Sequence, residues 1–461
     1  MIHEHEVLSL LRNQNPKKAP GPDGVFTSTL KHCAEQLAPV LTDIFNSSLQ
    51  LQTVPTPFKG SVIVPVPKNS NPQTLNDFRP VALTSVVMKV FERLVLKYLK
   101  LETEANLDTL QFAFRSNRGV DDAVAMALHS ILQHLEHTRT YARVLFVDFS
   151  SAFNTILPQR LCDKLCNEFG LNQSICKWIL DFLHEREQVV RMNGVISGPL
   201  TLNTGAPQGC VLSPMLFSLY TNDCTSEHQS VKRFKFADDT TMPGLISNSD
   251  ESAYRTEVNR LVNWCDENNL KLNTSKTQEV IIDFRKKRDP VPPLIIKGEV
   301  IKQVSHAKFL GTTIASSLSW EENCRLIKKK AHQRLYFLRQ LKKFRMRREI
   351  LYQFYKASIE SILTFSICAW FGGLTIKDKA ALNRIIVISG KIIGSELPSL
   401  DELFNQRSLK KARKITKDCS HPAYPLFELL PSGKRFRTMK TRTKRFQNSF
   451  YPQAIGLMNA K

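Results

Sequence analysis

The chain has 461 residues, 42% of them hydrophobic, and carries 64 Lys and Arg against 42 Asp and Glu, a formal net charge of +22. That length and apolar content allow a large core in two or three subdomains, and so positive a field draws polyanions, so nucleic acid or an anionic membrane surface is the expected partner. A membrane-spanning protein is excluded, because the most apolar stretch, Ile359 to Ile376, holds Glu360 and is broken by Gly372-Gly373, short of the roughly 20 residues that a spanning helix needs.

Met1 to Glu6 has neither the basic nor the apolar region of a signal peptide. Asn15 to Gly24 is a Pro/Gly turn cluster after a short helix. Ser61 to Lys68 reads as a strand ending in a lysine, and Asp77 to Leu83, with Arg79, as its partner. Cations at strand ends, taken alone, are solvated. Ser85 caps a helix whose apolar residues Val86, Val90, Phe91, Leu94, Val95 and Tyr98 fall at helical spacing. Another helix begins near Gly119, with Asp121 and Asp122 complementing its dipole rather than binding metal. Val144 to Val147 is a continuous apolar run followed by Asp148, which predicts a buried strand delivering that acid at its C-terminal end. Phe153, five residues on, reads by itself as core. Pro158, Leu161, Leu165 and Phe169 mark an amphipathic helix. The 10 cysteines include no Cys-x-x-Cys pair, and Cys162 and Cys166 have no second pair at finger-like spacing. Reduced thiols in the nucleus or cytoplasm, not secretion, are expected.

Gly205 to Pro214 is a loop entering a helix, with Ser213 as cap and Pro214 in the first turn. Its Gln208 alone is no more than a loop cap. In Phe234-Lys235-Phe236-Ala237-Asp238-Asp239 the apolar alternation predicts a half-buried strand, and the two acids a hairpin tip. A carboxylate pair there is either a solvated turn or a site for a hard cation such as Mg²⁺. Asp148 supplies a third acid, and three converging carboxylates are unfavourable without a cation. Glu257 to Asn269 reads as a helix, Leu270 to Thr277 as a turn carrying Lys276, and Val280 to Phe284 as a strand. From Trp320 the chain turns helical and basic: Leu326, Ile327, Leu335, Leu338 and Leu341 form a stripe amid a dense run of Lys and Arg, which argues for a polyanion. Two more helices are expected, Glu349 to Trp370 and Lys377 to Ile393. Past Pro398 a basic tail with interleaved Phe436, Phe446 and Phe450 is expected to order only on nucleic acid.

Phe146 to Phe153, Gly205 to Pro214 and Phe236 to Asp239 resemble motifs A, B and C of reverse transcriptases, in wording closest to retrotransposons without long terminal repeats (LINE-type elements). Leu270 to Thr277 resembles motif D and Lys308 to Gly311 motif E, the primer grip. Their order, separation and joint occurrence carry the resemblance. It implies an α+β right-hand polymerase: fingers and an N-terminal extension over 1–140, a palm over 141–315, a helical thumb over 316–398 and a basic tail over 399–461. It further implies an RNA-directed DNA polymerase that extends a DNA primer on an RNA template from deoxynucleoside triphosphates, with two Mg²⁺, or Mn²⁺ in their place.

In that reading Asp148 and Asp238 bridge both ions, and Asp239 adds charge and one metal ligand. Lys68 and Arg79 reach the triphosphate, and Gln208 faces the incoming nucleotide and template base. Phe153 lies under the sugar and blocks a 2′-hydroxyl. Lys276 donates a proton to departing pyrophosphate, with a solvated loop lysine as the alternative. Lys17 and Lys18 lie near template phosphate. The rival class is a transposon-derived protein that binds nucleic acid without catalysis; an intron maturase or telomerase-type polymerase fits the motif B wording less well. Longer members carry an endonuclease ahead of this region and often a Cys/His knuckle behind it. Here the chain starts almost at the fingers, and only Cys419 and His421 stand close together in the tail.

Overall fold

Tyr141, Ala142, Val144, Leu145 and Val147 are buried, and their strand, Thr140–Val147, is the middle one of five in the computed structural model, which describes residues 1–288 and 290–460. The sheet runs Lys302–Gln303, Gln278–Ile282, Thr140–Val147, Asp239–Ser247, Phe234–Phe236, with the middle strand antiparallel to both neighbours. It belongs to one of two compact units, formed by Thr109–Asp148, Thr225–Val262 and Leu272–Lys461; the other is formed by Met1–Asp108, Phe149–Cys224 and Asn263–Lys271. No helix among the described residues is long and apolar enough to cross a membrane.

In the unit of this sheet the helix Val120–His134 is buried on nearly every side. Periodicity gives no hint of Arg143, which is fully buried in the central strand. It grips Glu279 at 2.8 and 2.7 Å and Glu251 at 2.7 Å. Tyr254 and Tyr141 donate to those same acids, each at 2.7 Å. Removing one member of such a group leaves an uncompensated buried charge. Lys235 departs from the half-buried expectation: it is 2% exposed, between amide bonds to Leu110 and from Phe112 that cover the strand's edge. The helix expected at Glu257 begins earlier, at Ser252.

The basic helix Glu321–Lys343 buries Ile327, Ala331, Leu335 and Leu338 and leaves Lys329, Lys330, Arg334, Arg339, Lys342 and Lys343 exposed. The next expected helix is broken into Arg348–Phe354, a π-helical turn Tyr355–Glu360, Ser361–Leu363 and Ile367–Trp370. The break falls at Ser366, whose φ of 48° no helix continues. Ile376–Ile393 then runs from a Thr375 cap to Gly394 at φ 79°, a left-handed stop.

The tail corrects its expectation. It is folded: Ser399 and Glu402 close a capping box on the helix Leu400–Ile415, and Phe404, Phe446, Phe450 and Tyr451 are core residues. Asp122 does more than face a dipole, because it accepts from Lys411 at 2.9 Å and from the Gly119 amide at 2.9 Å. Glu136, at the other end of that helix, takes the Thr443 amide at 3.1 Å and its hydroxyl at 2.5 Å. The interleaved aromatics are thus core, and the cations around them are its outer face.

The other unit holds the hairpin Ser61–Pro67 with Phe78–Thr84, the first strand also lying parallel to Arg186–Met192. Phe45 stacks on Phe91, Phe91 meets Trp178 edge-on and Trp178 stacks on Phe182, with centroids 4.4, 4.9 and 5.8 Å apart. Ser85 caps Val86–Thr103 as expected, its hydroxyl accepting from Met88 N at 3.3 Å. Ser213 is not a cap; it is the first residue of Ser213–Tyr220, and its hydroxyl donates to the Pro207 carbonyl at 2.8 Å.

Candidate active site

Phe236 pairs with Asp239, so the hairpin closes through a two-residue turn, Ala237-Asp238. Such tight turns need a positive φ, and Ala237 supplies it at 56° despite being an alanine. The turn fixes Asp238 at the tip and Asp239 at the first position of the returning strand, both exposed. Val147 pairs with Thr240, so the residue after Val147 and the residue before Thr240 meet at one sheet edge. Those residues are Asp148, half-buried, and Asp239. Neighbouring strands lie about 4.8 Å apart.

The electrostatics register this crowding. Although Asp239 is exposed by area, loss of solvent around its carboxyl raises its pKa, and the charges of Asp238 and Asp148 raise it further. Lys308, read in the sequence only as part of motif E, works in the opposite direction. Hard oxygen donors that repel one another suit a divalent cation of the Mg²⁺ or Mn²⁺ type. They do not yet form a tight cluster. Among the described residues, the three potential ligands whose donor atoms all lie within 4.8 Å are Cys162, Cys166 and Cys176, a set the sequence spacing did not reveal because Cys176 comes from the next helix. Burial raises Cys162 to about 11 and Cys176 further, so these thiols are neutral and pack as small apolar groups.

Lys276 is exposed in a turn tied to Asp148 through the main chain: the Asn273 amide donates to the Asp148 carbonyl at 2.8 Å, and the Asp148 amide to Thr277 Oγ1 at 3.3 Å.

The remaining expected residues lie in the other unit. Lys68 follows the strand Ser61–Pro67, its amide bonded to the Asp77 carbonyl at 2.7 Å, and Arg79 sits opposite Val66. Both are exposed. Three residues along the same strand, the Ala82 amide donates to the Gln208 carbonyl at 2.7 Å. A side chain at Gly209 would put its Cβ 2.4 Å from the Ala82 carbonyl, so only glycine allows that approach. Phe153 is half-buried, packs at a tilt on Phe217 with centroids 4.7 Å apart, and accepts the Ala206 amide through its carbonyl at 2.8 Å. The ribbon therefore joins Lys68, Arg79 and Gln208, and the loop joins Gln208 to Phe153.

A family profile described as reverse transcriptase (RNA-dependent DNA polymerase) matches residues 66–314, more than half of the chain. The chain belongs to this reverse transcriptase family. The α+β right-hand polymerase class and the likeness to LINE-type elements, expected from the motifs, are borne out. The chain is 27% identical over 409 residues to the probable RNA-directed DNA polymerase from transposon BS of Drosophila melanogaster, covering 85% of this chain and 44% of that protein. It is 28% identical over 332 residues to the corresponding protein of transposon X-element (69% and 36% covered) and 26% identical over 331 to the RNA-directed DNA polymerase from mobile element jockey (69% and 36%), both also from Drosophila melanogaster. This reverse transcriptase chain thus spans less than half the length of those relatives. A second profile, the N-terminal region of alkylated DNA repair protein alkB homolog 8, matches only residues 320–361, a stretch of basic helix. Among solved structures, the apo telomerase of Candida tropicalis, truncated from its C-terminal domain, aligns at 12% identity and a TM-score of 0.39, covering 64% of this chain and 60% of that one, too low to bear on the fold.

Proposed function

We propose that this chain is an RNA-directed DNA polymerase that extends a DNA primer on an RNA template from deoxynucleoside triphosphates, in an intracellular setting. The observation that carries the reading is the meeting of Asp148 and Asp239 at one sheet edge, with Asp238 in the adjoining turn and their mutual repulsion written into the raised Asp239 carboxyl. Asp148 and Asp238 would hold two Mg²⁺, with Asp239 adding charge and one ligand. When bound, the ions supply activation of the primer 3′-hydroxyl and neutralisation of the leaving pyrophosphate.

The chain's own groups position and discriminate. Lys68 and Arg79 hold the triphosphate, Arg through a planar fork and Lys as a point charge. Gln208 meets the nucleotide and template base, and Phe153 stands against a 2′-hydroxyl. Lys276 gives its proton to pyrophosphate. In this reading residues 1–140 are fingers, 141–315 palm, 316–398 thumb and 399–461 a basic extension. The exposed cations of Glu321–Lys343, interleaved with exposed Tyr336 and Phe337, grip template and primer through phosphate contacts.

The test is extension of a labelled DNA primer on an RNA template, with and without Mg²⁺. Metal-dependent extension is expected. Template binding with no extension in Mg²⁺ or Mn²⁺ returns the chain to the class of non-catalytic binders.

A further inference from the structure

The loop that carries Gln208 is held at both ends by buried charges of opposite sign. At its start Arg186, 5% exposed, donates to the carbonyls of Thr204 and Gly205 at 3.2 and 3.0 Å and to that of Leu183 at 3.2 Å. At its end Glu92, 0% exposed, accepts the consecutive amides of Val211 and Leu212 through one oxygen, at 2.6 and 2.9 Å. Between the pins, Gly205 and Ala206 donate to the carbonyls of Ile156 and Phe153 at 2.7 and 2.8 Å, and Gln208 accepts from Ala82. Every few residues the loop is fastened to the segment of Phe153 or the strand of Arg79.

Stability does not account for these charges. A buried carboxylate is expensive, and hydrophobic residues of equal volume are often as stable or better. Glu92 bears that expense visibly: burial pushes its carboxyl up to about 7, and its second oxygen is buried without a hydrogen-bond partner. What a carboxylate does that a leucine cannot is seize two successive amides and fix the direction in which the loop enters the helix Ser213–Tyr220. Arg186 does the converse with two successive carbonyls.

We propose that Glu92 and Arg186 are positioning residues for nucleotide selection, clamping the Gly205–Leu212 loop so that Gln208 meets the incoming nucleotide in one geometry. The proposal rests on the polymerase reading above. Neither residue touches substrate; both act through the loop.

Two measurements test it. The first is single-nucleotide incorporation by Glu92→Ala, Glu92→Gln and Arg186→Lys. Glu92→Ala should raise the nucleotide KM and the misincorporation frequency about tenfold, with a smaller change in kcat. Glu92→Gln keeps an acceptor oxygen and should recover most of the loss. Arg186→Lys keeps the charge without the fork and should resemble Glu92→Ala. The second is hydrogen exchange at the Val211 and Leu212 amides, which needs no catalysis: it should speed up in Glu92→Ala while the sheet of the other unit keeps its protection. Unchanged KM, fidelity and exchange in soluble Glu92→Ala and Arg186→Lys, or a parallel rise in KM and fall in kcat and melting temperature in all three variants, overturns the proposal. Wild-type protein that extends no primer sinks the polymerase reading alone, and the exchange experiment still decides the clamp.

Discussion

The Asn273 amide donates to the Asp148 carbonyl at 2.8 Å, so the turn that carries Lys276 is tied to the end of the strand Thr140–Val147, where the carboxylate proposed to hold metal stands. A general acid, the role proposed for Lys276, works only if its position relative to the reacting atoms is fixed. This turn is held by one main-chain bond and one bond from the Asp148 amide to Thr277 Oγ1, without using a side chain of Asp148 or Lys276. Lys276→Ala should lower single-turnover incorporation by about 100-fold, the usual scale for losing a positioned proton donor, with primer and template affinity unchanged. An unaltered rate makes Lys276 a solvated loop lysine.

Phe153 accepts the Ala206 amide through its carbonyl, so its backbone is held whatever the side chain, while its ring packs at a tilt on Phe217. Phe153→Val should therefore admit ribonucleotides while keeping most deoxynucleotide use. Loss of a core phenylalanine to Ala costs roughly 3–5 kcal/mol, and a half-buried one cut to Val should cost less. Incorporation of both sugars, measured beside melting temperature, separates the two roles. A constant sugar ratio in a destabilised protein assigns Phe153 to packing.

The basic tail contains two kinds of lysine. Lys411 is bound to Asp122 and should be structural: Lys411→Met strands a buried carboxylate and should cost about 3 kcal/mol in unfolding free energy. Lys410, Arg413, Lys414 and Lys417 are exposed on the same helix or just past its end. Changing these four to Gln should leave the melting temperature in place and flatten the slope of log affinity against log salt, by roughly 0.9 for each phosphate that is no longer neutralised. An unchanged slope means that this face does not bind nucleic acid.

His129 makes the tail acid-sensitive. Its ring lies 5.0 Å from Tyr451 and 5.5 Å from Phe446, both nitrogens are buried without partners, and burial, with Lys232 nearby, lowers its pKa to about 4. The unfolded chain, near 6.5, binds the proton more readily than the fold, so stability falls as pH drops from about 6.5 towards 4. The full penalty is roughly 3 kcal/mol. His129→Leu should flatten that part of the pH–stability curve, as read by denaturant unfolding. An identical acid limb in the variant places the titrating group elsewhere.

What the sequence disclosed and what it hid follow one physical line. The strand before Asp148 and the Asp238 hairpin were legible because apolar runs and turn chemistry are local signals. The hairpin of Lys68 and Arg79 was legible for the same reason. Arg143, Glu92 and Arg186 were not, because a charge read along one helix or strand is assigned to water, and its partners lie far off in sequence. Lys235 misled in the same way. The fold of the tail is hidden because its charge density masks Leu400, Leu403, Phe404, Ala412 and Ile415, all buried on one helix, and because aromatics between cations serve a core as readily as a nucleic acid. Lys308 beside Asp239 follows from tertiary packing, for which motif spacing carries no signal.

The most direct test of the account is Asp148→Asn in single-turnover extension of a DNA primer on an RNA template with Mg²⁺, beside template affinity measured by fluorescence anisotropy. Substituting Asn removes a charge and almost nothing else. The account predicts that extension falls by at least about 100-fold, the scale of losing one preorganised electrostatic group, while affinity stays within about twofold because phosphate contacts carry it. Extension that survives in Asp148→Asn would contradict the assignment of these carboxylates to catalysis.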